Sequence, residues 1–299
     1  MVFKTMDFAT HLKSIAGDVE AALSDLLPKP DGHQAVIMEA MRYATLGGGK
    51  RLRPFLVVET ARMLGGDLDN AMVVGCALEC LHVYSLIHDD LPCMDDDDLR
   101  RGKPTVHKAH DEAIAVLAGD ALLTFAFELL ASEAAHSDPA VRVRLVAELA
   151  KAGGHSGMIG GQVVDISVAE GERDETLITE LQAMKTGALI DFAARAGGIL
   201  SGVDTAELDK LSGYARDMGL AFQIQDDILD IEGDVELMGK AVGKDEGLGK
   251  ATFVSILGLQ GAKDRAKSLG AAAKGHLASY GDKAQIMCDT VDFVLERKY

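Results

Sequence analysis

The sequence predicts an all-α protein, a single-domain helical bundle spanning residues 1–299, on three observations. Only six prolines occur, and Pro28, Pro30, Pro54, Pro92, Pro104 and Pro139 all sit in what read as connections. Between those breaks the segments are long and rich in Ala, Leu, Met, Glu and Lys, which are strong helix formers. Leu117, Leu122, Phe125, Leu129 and Leu130 recur at helical spacing, while alternating Val-Ile-Thr runs are nearly absent.

Taken in order, the N-terminal MVFKTMDFATHLK has no apolar h-region, so no secretory signal is visible. PKPDGH gives the first turn signal, and GGGKRLRP sets flexible backbone ahead of Pro54, a residue suited to a helix start. GGDLDN marks the next turn, after which an apolar helical segment runs into Asp89-Asp90. The most apolar stretch, Ala113 to Ala131, contains Asp120 and Glu128, and its length suits a buried helix better than a membrane span. HSDPA, EGERD and SGVDT mark later turns; in the last, either Asp204 or Thr205 caps a helix that Ala206 begins. Leu220, Ala221, Phe222, Ile224, Ile228, Leu229 and Ile231 then outline a core helix. No low-complexity linker divides the chain, and no repeat of solenoid length stands out.

Composition bounds the function. Hydrophobic residues make up 48% and charged residues 26%, enough apolar material for a sizeable core. With 30 basic against 47 acidic residues, the net charge of −17 has the wrong sign for a general nucleic-acid binder. Cys76, Cys80, Cys93 and Cys288 form no disulfide framework, and Cys76 with Cys80 makes a poor zinc site without further thiols or imidazoles. A reduced, soluble, cytoplasmic protein without a membrane span is the expectation.

Two acidic clusters carry the chemistry. Asp89, Asp90, Asp95, Asp96, Asp97 and Asp98 crowd one short segment, and Asp226, Asp227 and Asp230 form the second. On a helix Asp226 and Asp230 stand one turn apart, with Cβ atoms about 5–6 Å from each other. Acidic runs are usually solvated faces. Here both lie inside apolar helical sequence, where like charges repel unless a cation neutralises them. An all-oxygen donor set suits Mg²⁺, Mn²⁺ or Ca²⁺ rather than zinc, and the spacing of an EF-hand is missing. Mg²⁺ binds through a few carboxylates plus substrate phosphate oxygens. Phosphate-binding candidates are at hand: Lys50, Arg51 and Arg53 beside the glycines, Arg100 and Arg101 after the first acidic run, Lys185-Thr186, and Lys240 with Lys244 and Lys250. The glycine-rich segment is not a Walker A loop, because Arg51 follows the lysine where Ser or Thr belongs. Together the two carboxylate clusters and the cations point to diphosphate esters.

In this order, GGGKRLRP, SLIHDDLPCMDDDDLRRGKPT, KTGAL, FQIQDDILD and GK closely resemble the trans-isoprenyl diphosphate synthases, from about Gly47 to Lys250. The four residues inside DDLPCMD make the first motif the bacterial type, most similar to bacterial farnesyl diphosphate synthases, also called geranyltranstransferases. The resemblance implies a homodimer of helical bundles, each around a deep central cavity with the Asp motifs at its mouth. It implies that Asp89, Asp95 and Asp226 contact Mg²⁺ directly, with Asp90, Asp227 and Asp230 as further or water-mediated ligands. Three Mg²⁺ per site are expected, with Mn²⁺ able to substitute. Arg100, Lys185, Thr186, Gln223 and Lys240 match positions that hold the allylic diphosphate. Gly49, Lys50, Arg53, His82 and Arg101 match those that hold isopentenyl diphosphate.

The implied reaction ionises the allylic C–O bond, adds the isopentenyl double bond to the cation and loses a proton to the released diphosphate. Metal ions and cationic side chains stabilise the leaving group, so the carboxylates are metal holders and no acid/base pair. His82, Ser85 and Asp89 share one helical face, which suits His82 as a donor to phosphate; His88 is assigned a structural place. Phe222 and Tyr84 are candidate lining of an apolar cavity that keeps water from the cation. In the family, bulk one turn before the first Asp motif sets chain length, and the bulky Tyr84, with Ser85 beside it, resembles the C15 producers. Helical geometry alone rotates Tyr84 well away from the face of Asp89.

Three alternatives stand beside a farnesyl diphosphate synthase. A geranylgeranyl (C20) synthase shares every motif. A class I terpene cyclase would carry an Asn/Asp-Ser/Thr-Glu second motif where this chain has DDILD, and would not need Lys50, Arg53 and His82. A non-catalytic partner subunit would have lost an Asp motif or the arginines.

Overall fold

The computed structural model describes residues 7–168, 174–232 and 252–297. The chain folds into two compact units, one of Met1–Arg62 with Gly66–Val146, the other of Met63–Gly65 with Ala147–Tyr299. Both are helical, as the sequence predicts. Lys240, Lys244, Lys250 and most of the EGERD turn (170–173) lie outside the described residues.

In the first unit α1 (Phe8–Leu26) buries Leu12, Ile15, Val19 and Leu23, a stripe at helical spacing. Helices α2 (Ala35–Thr45) and α3 (Leu52–Leu64) follow, the latter starting just before Pro54. Asp67 opens α4 (Leu68–Asp89) by accepting from the backbone N–H groups of Asp69 and Asn70. Apolar on all sides, α4 buries twelve residues from Ala71 to Ile87 and forms the centre of this unit. A short hairpin departs from the all-helical expectation. Strands β1 (Leu99–Arg100) and β2 (Lys103–Pro104) pair through a turn whose central residues, Arg101 and Gly102, have φ of 53° and 75°. A single turn, α5 (Val106–Ala109), leads to α6 (Glu112–Ala131), capped by Asp111 through Ile114 N–H.

Helix α6 corrects one expectation. Its sequence suggests a buried helix, yet Val116 is 40% and Leu117 52% exposed. By length and composition α4 and α6 could each cross a membrane, but α4 is mostly interior to its unit, as core helices are.

Helix α7 (Pro139–Gly153) leads into the second unit, where α8 (Met158–Ser167) and α9 (Glu175–Gln182) follow. A π-helical turn, Ala183–Gly187, joins α9 to α10 (Ala188–Leu200). Asp204, rather than Thr205, caps α11 (Thr205–Glu232), accepting from Glu207 N–H at 2.9 Å. Helix α12 (Phe253–His276) packs along α11, and Ala221, Ile224 and Ile228 bury against Phe253, Val254 and Ala262. After a 3₁₀ segment, α13 (Gln285–Glu296) is tied to α11 by the buried Tyr214, whose hydroxyl donates to the Met287 carbonyl at 2.9 Å.

Candidate active site

The backbone of the first Asp motif separates its carboxylates. Asp89 ends α4, and the chain then doubles back: Met94 N–H donates to Leu91 O at 2.8 Å, and Asp96, with φ of 51°, donates to the same carbonyl at 3.1 Å. The Asp95 N–H donates to Asp89 O at 2.8 Å, so the four-residue spacer brings Asp89 and Asp95 together. Asp90 is buried. Only 3% of its side chain is exposed, and Arg100 grips it with Nε at 2.8 Å from both oxygens and Nη2 at 2.5 Å from Oδ1. Burial outweighs the guanidinium and raises the Asp90 pKa above its ordinary value. Asp90, expected as a metal ligand, is engaged with Arg100 in this structure. Asp98 is spent on an exposed pair with Lys108 at 2.8 Å.

The glycine-rich segment separates its cations in the same manner. Arg51, with φ of 50°, turns inward and is 3% exposed. Its guanidinium binds Glu79, Glu20 and the Thr45 carbonyl, each at 2.5 Å. Arg51 is thus a structural clamp, not part of an anion site. Lys50 stays exposed, and Arg53 points Nη1 at His82 Nε2, 3.3 Å away. An arginine only donates, so His82 Nε2 accepts and the ring proton sits on Nδ1. Burial, then repulsion from Arg53, Arg101 and Arg100, lowers the His82 pKa well below its ordinary value. With Nε2 already accepting from Arg53 and burial disfavouring the imidazolium, the Nδ1 donor suits the phosphate-donor role better than that of a base.

Arg101 comes to this cluster from the hairpin. Its Nη1 donates to the Gly48 carbonyl, and its guanidinium lies where a side chain on Gly49 would begin: a Cβ there would sit 2.8 Å from Arg101 Cζ. With φ of 132° as well, position 49 admits only glycine. Tyr43 holds the hairpin, its hydroxyl donating to Pro104 O at 2.7 Å. Gly49, Arg53, His82 and Arg101 are therefore neighbours.

In the second unit Asp226, Asp227 and Asp230 all lie on α11. Asp227 is buried, 6% exposed, and accepts from Phe253 N–H at 2.8 Å and Gln223 Nε2 at 3.2 Å. It caps the start of α12, where a carboxylate is favoured by the helix dipole. The expected metal ligand Asp227 and diphosphate ligand Gln223 are thus engaged with one another. Asp226 is the more open, 45% exposed, and Arg297 approaches its Oδ1 to 2.7 Å. Arg297 also donates to Phe222 O at 2.8 Å and lies 3.8 Å over the Phe222 ring. Phe222, expected as cavity lining, is the platform under that cation.

Lys185 and Thr186 sit in the π-helical turn, a feature frequent at functional sites. Thr186 donates to Gln182 Oε1 at 3.3 Å, and Lys185 reaches Asp165 on α8 at 2.7 Å. Asp165 and Arg297, the partners of Lys185 and Asp226, are not legible in the sequence. GGQVVD places Gly161 one turn before Asp165, and a Cβ at Gly161 would lie 2.4 Å from Lys185 N, so the small residue marks the approach. Arg297 belongs to no pattern.

Among the described residues no three His, Cys, Asp or Glu side chains converge on a ready-made metal cage. The donor set still fits Mg²⁺: Asp89 with Asp95 and Asp226 with Asp230 offer few carboxylates each and leave coordination to phosphate oxygens.

Residues 34–289 match the polyprenyl synthetase family. The chain is 47% identical to the farnesyl diphosphate synthase of Geobacillus stearothermophilus, over 87% of both chains. It is 44% identical to the chloroplastic geranylgeranyl pyrophosphate synthase of Capsicum annuum, over 97% of this chain and 79% of that one. Among solved structures it is similar to a geranyltransferase of Helicobacter pylori complexed with magnesium and isoprenyl diphosphate, at a TM-score of 0.83 and 33% identity over 97% of each chain.

Proposed function

The chain belongs to the polyprenyl synthetase family, and from that premise we propose that it makes farnesyl diphosphate. It condenses isopentenyl diphosphate head to tail with dimethylallyl diphosphate and then with geranyl diphosphate. The observation that supports this is the cluster of Gly49, Arg53, His82 and Arg101, read here as a second anion site. A cyclase has no use for it.

In this proposal Asp89, Asp95, Asp226 and Asp230 hold Mg²⁺, three ions per site as in the family expectation, with Mn²⁺ able to replace them. When bound, the ions stabilise charge on the departing diphosphate. The rest is the work of the chain's own groups. Arg100, held by both oxygens of Asp90, presents its remaining Nη1 edge to the allylic diphosphate. Lys185 and Thr186 contribute to the same diphosphate, with Lys185 held by Asp165 until substrate arrives. Lys240 takes its share by motif alone. Lys50, Arg53, Arg101 and the Nδ1–H of His82 bind isopentenyl diphosphate and orient its double bond toward the allylic carbon. His82, whose Nε2 already accepts from Arg53 and whose protonation burial disfavours, is a poor proton acceptor, and the departing diphosphate takes the proton in this proposal.

One domain is proposed, since a single family match runs through both units. A homodimer is supported by α6, whose Val116 and Leu117 leave an apolar face exposed. All four cysteines are free thiols, which suits the cytoplasm. A C20 product is the second reading, supported by the likeness to the Capsicum annuum enzyme.

Diphosphate release from geranyl diphosphate, measured with Mg²⁺ in the presence and absence of isopentenyl diphosphate, separates the classes. Release that requires isopentenyl diphosphate is expected. Equal release without it, together with cyclic hydrocarbon, would overturn the synthase assignment.

A further inference from the structure

Tyr84 and His88 stand one turn apart on α4, and their rings meet edge to face, with centroids 5.5 Å apart at 87°. His88 is more than a stacking partner. Its Nε2 lies 3.1 Å from the Val116 carbonyl on α6. A carbonyl only accepts, so Nε2 carries the proton and donates.

The imidazole reaches that carbonyl through a notch. A Cβ on Gly119 would sit 2.1 Å from His88 Nε2 and 2.5 Å from Cδ2. Any larger residue at 119 would have to expel the ring. Tyr84 itself is buried, 5% exposed, so its ring moves only if a neighbour yields. His88 is one such neighbour, fixed at its far end by a backbone group of α6.

We propose that His88, seated in the Gly119 notch and bonded to Val116 O, is a positioning residue that fixes the Tyr84 ring and thereby sets how far the product chain grows. This rests on Tyr84 being the chain-length residue of the proposed synthase. With the imidazole in place, the phenol cannot swing toward α6 and stays where growing product meets it. Without it, the vacated space admits the phenol and the limit moves outward. The sequence alone shows neither Val116 nor Gly119 as partners, because they come from another helix.

The test sizes the dephosphorylated products made by the full chain with Mg²⁺, geranyl diphosphate and isopentenyl diphosphate. His88→Gln fills most of the volume and keeps a donor for Val116, but removes the ring edge. Gly119→Ala evicts the imidazole from the other helix. Each is expected to raise the C20 share by roughly tenfold, the scale on which an apolar pocket discriminates by size, with KM for isopentenyl diphosphate unchanged. A Tyr84→Ala/His88→Ala double variant is expected to match Tyr84→Ala alone, because His88 acts only through Tyr84. If Tyr84→Ala lengthens the product while folded His88→Gln and Gly119→Ala do not, the positioning role is refuted and the Tyr84 assignment stands. If Tyr84→Ala itself leaves the product unchanged, the Tyr84 assignment fails and this inference with it.

Discussion

Arg51 adopts a φ of 50° and buries its guanidinium between Glu79 and Glu20, whereas Lys50, the residue before it, stays exposed. Sequence places both beside flexible glycines and cannot distinguish them, because a backbone dihedral decides which way each points. Arg51→Ala leaves Glu79, 2% exposed, without its cation. That variant is expected to lose about 3–5 kcal/mol in urea unfolding, and Lys50→Ala to lose little while raising KM for isopentenyl diphosphate. Equal stability of the two would refute the clamp. The Asp motif divides similarly. Asp89→Ala is expected to cut turnover sharply and to weaken Mg²⁺ dependence. Asp90→Asn, which loosens Arg100, is expected mainly to raise KM for the allylic diphosphate. Identical Mg²⁺ titrations for the two variants would contradict the separate roles.

Among the elements, the long helices follow from their spacing and caps: Asp67, Asp111 and Asp204 each precede an apolar periodic run and each accepts from backbone N–H groups. The hairpin at Leu99–Pro104 is hidden because each strand is two residues long and its turn uses Arg-Gly rather than Asn-Gly. The burial of Asp227 is equally hidden, since its partner, the start of α12, is distant in sequence. Asp227→Ala would orphan the buried Phe253 N–H, at a cost of about 1–3 kcal/mol. Faster amide exchange at the start of α12 would accompany it. Unchanged exchange there would show that Asp227 does not anchor that helix.

For the whole molecule, the sequence motifs name the charged groups of the proposed site, but not which of them hold one another. Asp90 with Arg100, Lys185 with Asp165 and Asp226 with Arg297 are pairings that only the fold discloses. Apolar α6 is legible as a helix but not as an exposed one, since hydropathy does not say whether the neighbour is this chain or a second copy. Leu117→Glu is expected to turn the proposed dimer into a monomer by light scattering; an unchanged mass would place the interface elsewhere.

Sizing the products is the decisive check on farnesyl diphosphate synthesis. Purified protein would be given Mg²⁺, isopentenyl diphosphate and, separately, C5, C10 and C15 allylic diphosphates, and the dephosphorylated alcohols separated by gas chromatography with mass detection. C15 alcohol from the C5 and C10 starters, with nothing longer, is the predicted result. C20 or longer product would contradict the Tyr84 limit, and no condensation from any starter would contradict the synthase itself.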